Sequence, residues 1–206
     1  MNEKPLIVAL VGQPGSGKNT VADFLASQGF ARLAFGDAVR REVAEHWRVD
    51  VRMLTDRHTQ EWAVPALAAG NCSDPQFMRW VADGGDSLTA PQSAAWVLKH
   101  WKAFRQRFAP GYFARILERD IGRRLGCNWR RVVVADLDDA HCADMLRRLG
   151  AKVLRVHRPD LATGPAESAG HVMLQRHGID ADGDVLNVGS LQALAEAAAE
   201  AVEVLE

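Results

Sequence analysis

Six consecutive apolar residues, Leu6 to Val11, run directly into Gly12-Gln13-Pro14-Gly15-Ser16-Gly17-Lys18-Asn19-Thr20. A run with no polar position reads as a strand buried on both faces, which calls for a parallel sheet covered by helices on either side. The glycines allow the backbone to turn so that successive N–H groups face one anion. Behind them Val21, Phe24 and Leu25 share one helical face, and Gly29 reads as the stop. Strand, glycine-rich turn and helix start in this order fit G-x-x-x-x-G-K, a phosphate-binding loop. Backbone N–H groups, the positive end of the helix and the Lys18 ammonium all act on the β- and γ-phosphates of a nucleotide. An ordinary glycine-rich strand–helix turn is the alternative, and the extra glycine at Gly15 counts against it.

The 206 residues suit one domain, or one domain with an insert. A formal net charge of −1 excludes a nucleic-acid binder that relies on bulk positive charge. Charge is uneven along the chain, however: +8 from Lys99 to Arg131 and −8 from Pro159 to Glu206. Solvated helix faces account for most such asymmetry; the alternative is that some central arginines converge on an anionic ligand. Cys72, Cys127 and Cys142 form no CxxC pair, which argues against a disulfide scaffold or zinc ribbon and suits a reducing cytosol. The longest apolar stretch is far below the roughly 20 residues that span a bilayer. It also begins too close to Met1 to read as a signal peptide. These features give the expectation of a cytoplasmic protein with no membrane and no nucleic-acid partner.

Further along, Ala31 to Phe35 reads as a second short strand. Asp37 reads as the cap of a helix with Val39, Val43 and Trp47 inward. Residues 50 to 90 read as short helical pieces separated by Pro65, Gly70, Pro75 and Gly84-Gly85. Thr89-Ala90-Pro91 then predicts a helix start, with the helix running to about Phe108. The next helix carries Phe113, Ile116, Leu117 and Ile121 inward. Arg131 to Asp136 is a second buried-strand pattern ending on a carboxylate, followed by a helix that stops at Gly150 and a strand from Lys152 to Val156. Thr163 to Gly183 reads as a mobile loop, Asp184 to Asn187 as a last strand, and Ser190 as the cap of a helix with Leu191, Leu194, Val202 and Leu205 inward. Strands alternating with helices predict an α/β fold with a mainly parallel sheet. The chain reads as a single domain, 1–206, with a helical insert at about 50–128.

Directly after Lys18, where a hydroxyl usually binds Mg²⁺, stands Asn19, whose amide oxygen can face the metal; Thr20 follows. The missing hydroxyl, together with the absence of an Asn-Lys-x-Asp guanine-reading motif, argues against a GTPase switch.

The loop resembles that of adenylate kinase and related nucleoside monophosphate kinases, where the lysine is followed by a non-hydroxyl residue and then Thr. Phe35-Gly36-Asp37-Ala38-Val39-Arg40 is similar to the G-D-x-x-R of that family, whose arginine binds the acceptor phosphate. The remainder resembles the phage-type deoxynucleoside monophosphate kinases: Val132 to Asp139, Leu149-Gly150-Ala151-Lys152-Val153 and His157-Arg158-Pro159. His171, Asp184 to Asn187 and Ser190-Leu191 continue it. Where the family has Arg and Phe after the strand's aspartate, this chain has Asp138 and Asp139. The arginine of its Thr-Pro-Arg helix start is missing at Gln92.

The resemblance implies a P-loop NTPase fold, a three-layer α/β/α sandwich on a five-stranded parallel sheet of kinase-type order 2-3-1-4-5. It implies ATP and Mg²⁺ as cofactors, nucleotide substrates, and a monomer or homodimer. The reaction would be transfer of the γ-phosphoryl group of ATP to a (deoxy)nucleoside monophosphate. The alternatives are a kinase of another small metabolite, such as a coenzyme precursor, or a regulatory nucleotide-binding protein with weak ATPase activity. The phosphate-binding set would be Gly12, Gly15, Ser16, Gly17, Lys18, Asn19, Thr20 and Arg158. Asp37 and Arg40 would bind the acceptor; Lys18, Asp37 and Arg107 would act in catalysis; Asp136 and Asn19 would meet the metal. For Asp136 and Asp37 the alternative is a helix cap, and for Arg40 and Arg158 a surface role. Arg115, Arg119 and Arg123 are either a closing-lid group or a solvated stripe. Trp96 and Trp101 line a base pocket or pack in the insert.

Overall fold

The computed structural model describes residues 4–56, 58–137, 140–159 and 181–205. In chain order its main elements are β1 (Leu6–Val11), α1 (Lys18–Ser27), β2 (Ala31–Leu33), α2 (Phe35–Trp47), α3 (Pro75–Asp83), α4 (Ala94–Phe108), α5 (Tyr112–Gly126), β3 (Arg131–Val134), α6 (Ala140–Arg148), β4 (Lys152–His157), β5 (Gly183–Leu186) and α7 (Leu191–Glu203). Short 3-10 turns at Val51–Leu54, Pro65–Leu67 and Ala69–Asn71 lie between α2 and α3. The chain divides into two compact units, Met1–Phe35 with Ala114–Glu206, and Gly36–Phe113. The stretch read as a mobile loop lies outside the described residues up to 180, and so do His171, Asp138 and Asp139.

In the first unit five parallel strands stand in the order β2-β3-β1-β4-β5. β1 is central, with Val8 opposite Val133 on one side and Lys152 on the other. Its sequence requires that place: Ile7 to Val11 are all buried, which an edge strand would not achieve. On one face Val8 and Leu10 join Val133, Leu154, Val156 and Val185 in a core with Val21 and Leu25 of α1 and Leu194, Ala198 and Val202 of α7. Ser190 caps α7 by accepting the Ala193 N–H at 3.2 Å. Leu191, expected inward, is 74% exposed. Leu194 already reaches the Gly17 end of the loop, so Leu191, one turn earlier, lies past it in solvent.

The second unit is built around aromatic side chains. Trp47 of α2, Phe77 of α3 and Trp101 and Phe104 of α4 are buried against one another, with ring centroids 5.2 to 5.7 Å apart. Both buried indoles satisfy their N–H groups: Trp47 donates to the Ala68 carbonyl at 3.0 Å and Trp101 to Glu42 at 2.9 Å. Trp101 is therefore sealed in the core and offers no face to a base, whereas Trp96 stacks on His100 at 3.8 Å.

α4 begins later than Thr89-Ala90-Pro91 suggests. The chain bends at Leu88–Ala90, Gln92 pairs antiparallel with Val64, and Ser93 then caps the helix by accepting the Trp96 N–H at 3.1 Å. Asp37 is likewise not the cap of α2, which already starts at Phe35 and carries Asp37 in its first turn. No helix among the described residues is long and apolar enough to cross a membrane.

Burial also decides thiol chemistry. Cys72 is buried and its thiol is pushed up to about 11 by that burial; the Asp74 N–H donated to Sγ opposes the shift in part. At pH 8 about a thousandth of Cys72 is then thiolate, the reactive form. Cys142 is buried and Cys127 exposed. An aromatic disulfide reagent at pH 8 is expected to titrate Cys127 rapidly, and the other two only after denaturation. Rapid release of three equivalents from native protein would contradict this packing.

Candidate functional site

The glycine-rich loop leaves the C-terminal end of β1 under tight steric constraint. Gly12 has φ of +154°, and a Cβ there would lie 2.2 Å from the Val156 carbonyl oxygen of β4. Gly15 and Gly17 also have positive φ, +81° and +104°, which glycine adopts at little cost. Gly17 is the N-cap of α1 and provides no capping side chain. The first bond toward α1 runs from the Val21 N–H to the Gly17 carbonyl at 3.0 Å, so the N–H groups of Asn19 and Thr20 have no acceptor within the helix. The Lys18 ammonium folds back onto the carbonyls of Gly12 and Gln13, at 2.9 and 2.7 Å. Ser16 is only 1% exposed and its hydroxyl has no partner.

The neighbouring strand ends bring further groups to this edge. β1 and β3 pair Ala9 with Val134, so by count Asp136 stands level with Val11 at the entrance of the loop. Its half-buried carboxylate accepts the Phe35 N–H at 2.5 Å, so it caps α2, not the helix that follows it in sequence. Arg158 is exposed two residues beyond Val156, whose carbonyl borders Gly12. Beyond β5, the Asn187 N–H donates to the His157 carbonyl at 2.8 Å and its side-chain amide to the Ser16 carbonyl at 2.9 Å. Asn187 thus braces the loop, a role sequence reasoning did not assign. The signal lay in the family resemblance, which included Asp184 to Asn187 without giving Asn187 a role.

Asn19 and Thr20 are both exposed in the first turn of α1. The Asn19 amide oxygen, expected to face a metal, instead faces a guanidinium nitrogen of Arg32 at 3.5 Å, and Arg32 is paired with Asp23 at 3.0 Å. No group of three or more His, Cys, Asp or Glu side chains suited to a metal occurs among the described residues.

Asp37, Arg40 and Arg107 belong to the second unit, and Arg115, Arg119 and Arg123 to the first. Arg40 donates to Asp37 at 3.0 Å one turn along α2, while the Arg40 Nε is buried with no partner. On the same helix Glu42 accepts from Trp101, from Arg105 at 3.3 Å and from Tyr112 at 2.7 Å, fixing α2 against α4. The Arg105 guanidinium also lies 4.4 Å over the Trp101 ring. Arg107 is exposed on a cavity of about 830 Å³ that also presents Arg79, Trp80, His100 and Phe108. Arg115, Arg119 and Arg123 are exposed along α5, and Arg123 pairs with Asp120 at 3.3 Å.

No protein-family model matches the chain, and no curated protein matches it. Solved structures do. TT1252 from Thermus thermophilus is 22% identical over 98% of each chain, with a TM-score of 0.50. Dephospho-CoA kinase from Campylobacter jejuni is 11% identical over 97% of each chain, also with a TM-score of 0.50. Together with the strand order 2-3-1-4-5 and the loop after β1, these likenesses identify the fold as that of the kinase-type P-loop NTPases.

Gly12→Ala tests the loop's geometry. The new methyl would meet backbone, which cannot swing aside, so the cost should reach the overpacking range of about 1–3 kcal/mol. Chemical denaturation is expected to show that loss, while Gly29→Ala, with nothing within 4 Å of its Cβ, bears only the cost of its positive φ. Equal stability of Gly12→Ala and the parent chain would contradict the contact with Val156.

Proposed function

We propose that this chain is a phosphotransferase that moves the γ-phosphoryl group of ATP to a (deoxy)nucleoside monophosphate. The observation that carries the phosphoryl-transfer part of this reading is the loop between β1 and α1. Its glycines occupy conformations and spaces closed to other residues, and Lys18 lies across two of its carbonyls. Phosphates entering the loop offer Lys18 anionic oxygens in place of neutral carbonyls, a stronger charge-assisted bond. The N–H groups at the start of α1 and the unpaired Ser16 hydroxyl supply further donors.

The chain's contribution to catalysis is positioning and charge stabilisation. Lys18 neutralises charge on the β- and γ-phosphates, Asn187 holds the loop through the Ser16 carbonyl, and Arg158 contacts the nucleotide from the end of β4. A bound Mg²⁺ would supply charge neutralisation on the phosphates. Because Mg²⁺ keeps several waters, one protein carboxylate is enough for such a site, and Asp136 at the strand end fits that role through water. Asn19, turned toward Arg32, does not suit direct ligation; the Thr20 hydroxyl, one residue on, is exposed. In the second unit the acceptor phosphate is assigned to Arg40, whose buried Nε lacks a partner, with Asp37 orienting the guanidinium. Arg107 contributes positive charge from its cavity.

A second reading, a kinase of another small metabolite such as a coenzyme precursor, is favoured by the likeness to a dephospho-CoA kinase. Both readings share the loop and differ only in the acceptor. ADP formation screened against nucleoside monophosphates and against coenzyme precursors separates them. Tight ATP binding with no acceptor-dependent turnover would point to a regulatory nucleotide-binding protein.

Lys18→Ala is expected to lower turnover by at least about 10²-fold, the scale of losing one charge-stabilising donor. An unchanged rate in folded protein would remove the loop from the mechanism. For the acceptor, Arg40→Lys keeps the charge but loses the two-pronged geometry. It should raise the KM for the monophosphate strongly and leave the KM for ATP nearly unchanged. No change in either constant would make Arg40 a surface residue, and equal loss in both would move it onto the transferring phosphoryl group.

A further inference from the structure

The first unit has a second concentration of positive charge, at the sheet edge opposite the loop. A cavity of about 490 Å³ is lined by Lys4, Arg130, Arg131 and Lys152 together with Pro5, Leu6, Gly150 and Leu205, with no acidic residue among the described residues of its lining. The strand register explains the gathering. Arg131 begins β3 and lies opposite Leu6, at the start of β1, while Lys152 begins β4 on the other side of β1. Lys4 stands two residues before β1, and its ammonium lies 3.5 Å from the Cβ position of Gly150, a residue with φ of +73°. β1 is six residues long, so at about 3.3 Å per residue the cavity and the glycine-rich loop are separated by roughly 17 Å of strand.

We infer that this cavity is a binding site for a compact polyphosphate anion, distinct from the glycine-rich loop. Lys4 and Arg130, beside Arg131 and Lys152, build a local positive potential that a multiply charged anion relieves more fully than a single phosphate does. Lys152 is held by Asp182 at 3.1 Å, and the Arg131 guanidinium lies 5.6 Å over the Phe30 ring. Among the described residues Lys4 and Arg130 have no carboxylate within ion-pair distance. The empty pocket tolerates this charge because Gly150 and Leu205 follow the C-terminal ends of α6 and α7, where helix dipoles favour cations. The lining contains no aromatic ring on which a base would stack, which favours a bare phosphate chain over a single-stranded nucleic acid.

The test titrates inorganic tripolyphosphate into the full chain carrying Lys18→Ala, so that the loop is disabled, at about 0.15 M salt where diffuse surface attraction is screened. Calorimetry should show one saturable site. Adding Lys4→Gln and Arg130→Gln should weaken it at least tenfold, with no effect of that pair on acceptor-dependent turnover in the otherwise unaltered chain. If the pair impairs folding, Lys4→Gln alone decides, because Lys4 precedes β1 and its ammonium takes no part in the strand ladder. Non-saturable heats, affinity unchanged by these substitutions, or binding of an oligonucleotide but not of tripolyphosphate would each overturn the assignment. None of these results bears on the loop, whose own test is Lys18→Ala in turnover.

Discussion

The close approach of Gly12 to the end of β4 is the constraint on which the first unit depends. With the Val156 carbonyl 2.2 Å from where a side chain would begin, only a bare backbone passes. That passage allows β1 to turn into the loop while remaining paired with β4. Within the loop the Ser16 N–H donates to the Gln13 carbonyl at 3.1 Å and Lys18 to two further carbonyls, and the loop also takes support from outside. Asn187 supplies that support, tied to β4 through one amide and to the loop through the other. A cradle braced in this way is arranged before any ligand arrives, which suits a site that works by positioning.

The second unit solves a different problem. Its aromatic core includes two indole N–H groups that must be satisfied, and Glu42 serves one of them while binding Arg105 and Tyr112. A carboxylate holding three donors is costly to disrupt, since removing it strands buried donors rather than exposing them to water. Glu42 lies on α2, the helix that also carries Asp37 and Arg40, so the same network that closes the core fixes the helix presenting the proposed acceptor contacts.

Much of the first unit was legible because its elements follow local patterns. The apolar runs at Leu6–Val11 and Val132–Val134 became central strands, and Ser190 capped the helix expected of it. Misreadings occurred where a distant residue overrode a local cue. Thr89-Ala90-Pro91 has the composition of a helix start, but the pairing of Gln92 with Val64 just after it delays the start of α4 to Ala94. Asp37 has the composition of a cap, but Asp136, from another strand, takes the first N–H of α2.

The sequence by itself determined the kinds of element, the turn after β1 and the chemistry of the loop. Each of these depends on residues within about one turn or one strand of each other. The tertiary structure alone decided which strand ends meet. Asn187 reaches Ser16 across 171 positions, Asp136 reaches Phe35 across 101, and four separated cations line one cavity. The physical reason is that a parallel sheet carries its connections outside itself. All the strand starts fall on one edge and all the strand ends on the other, whatever their distance in sequence. Local patterning fixes what each strand end offers; only the order of strands fixes what it is offered to.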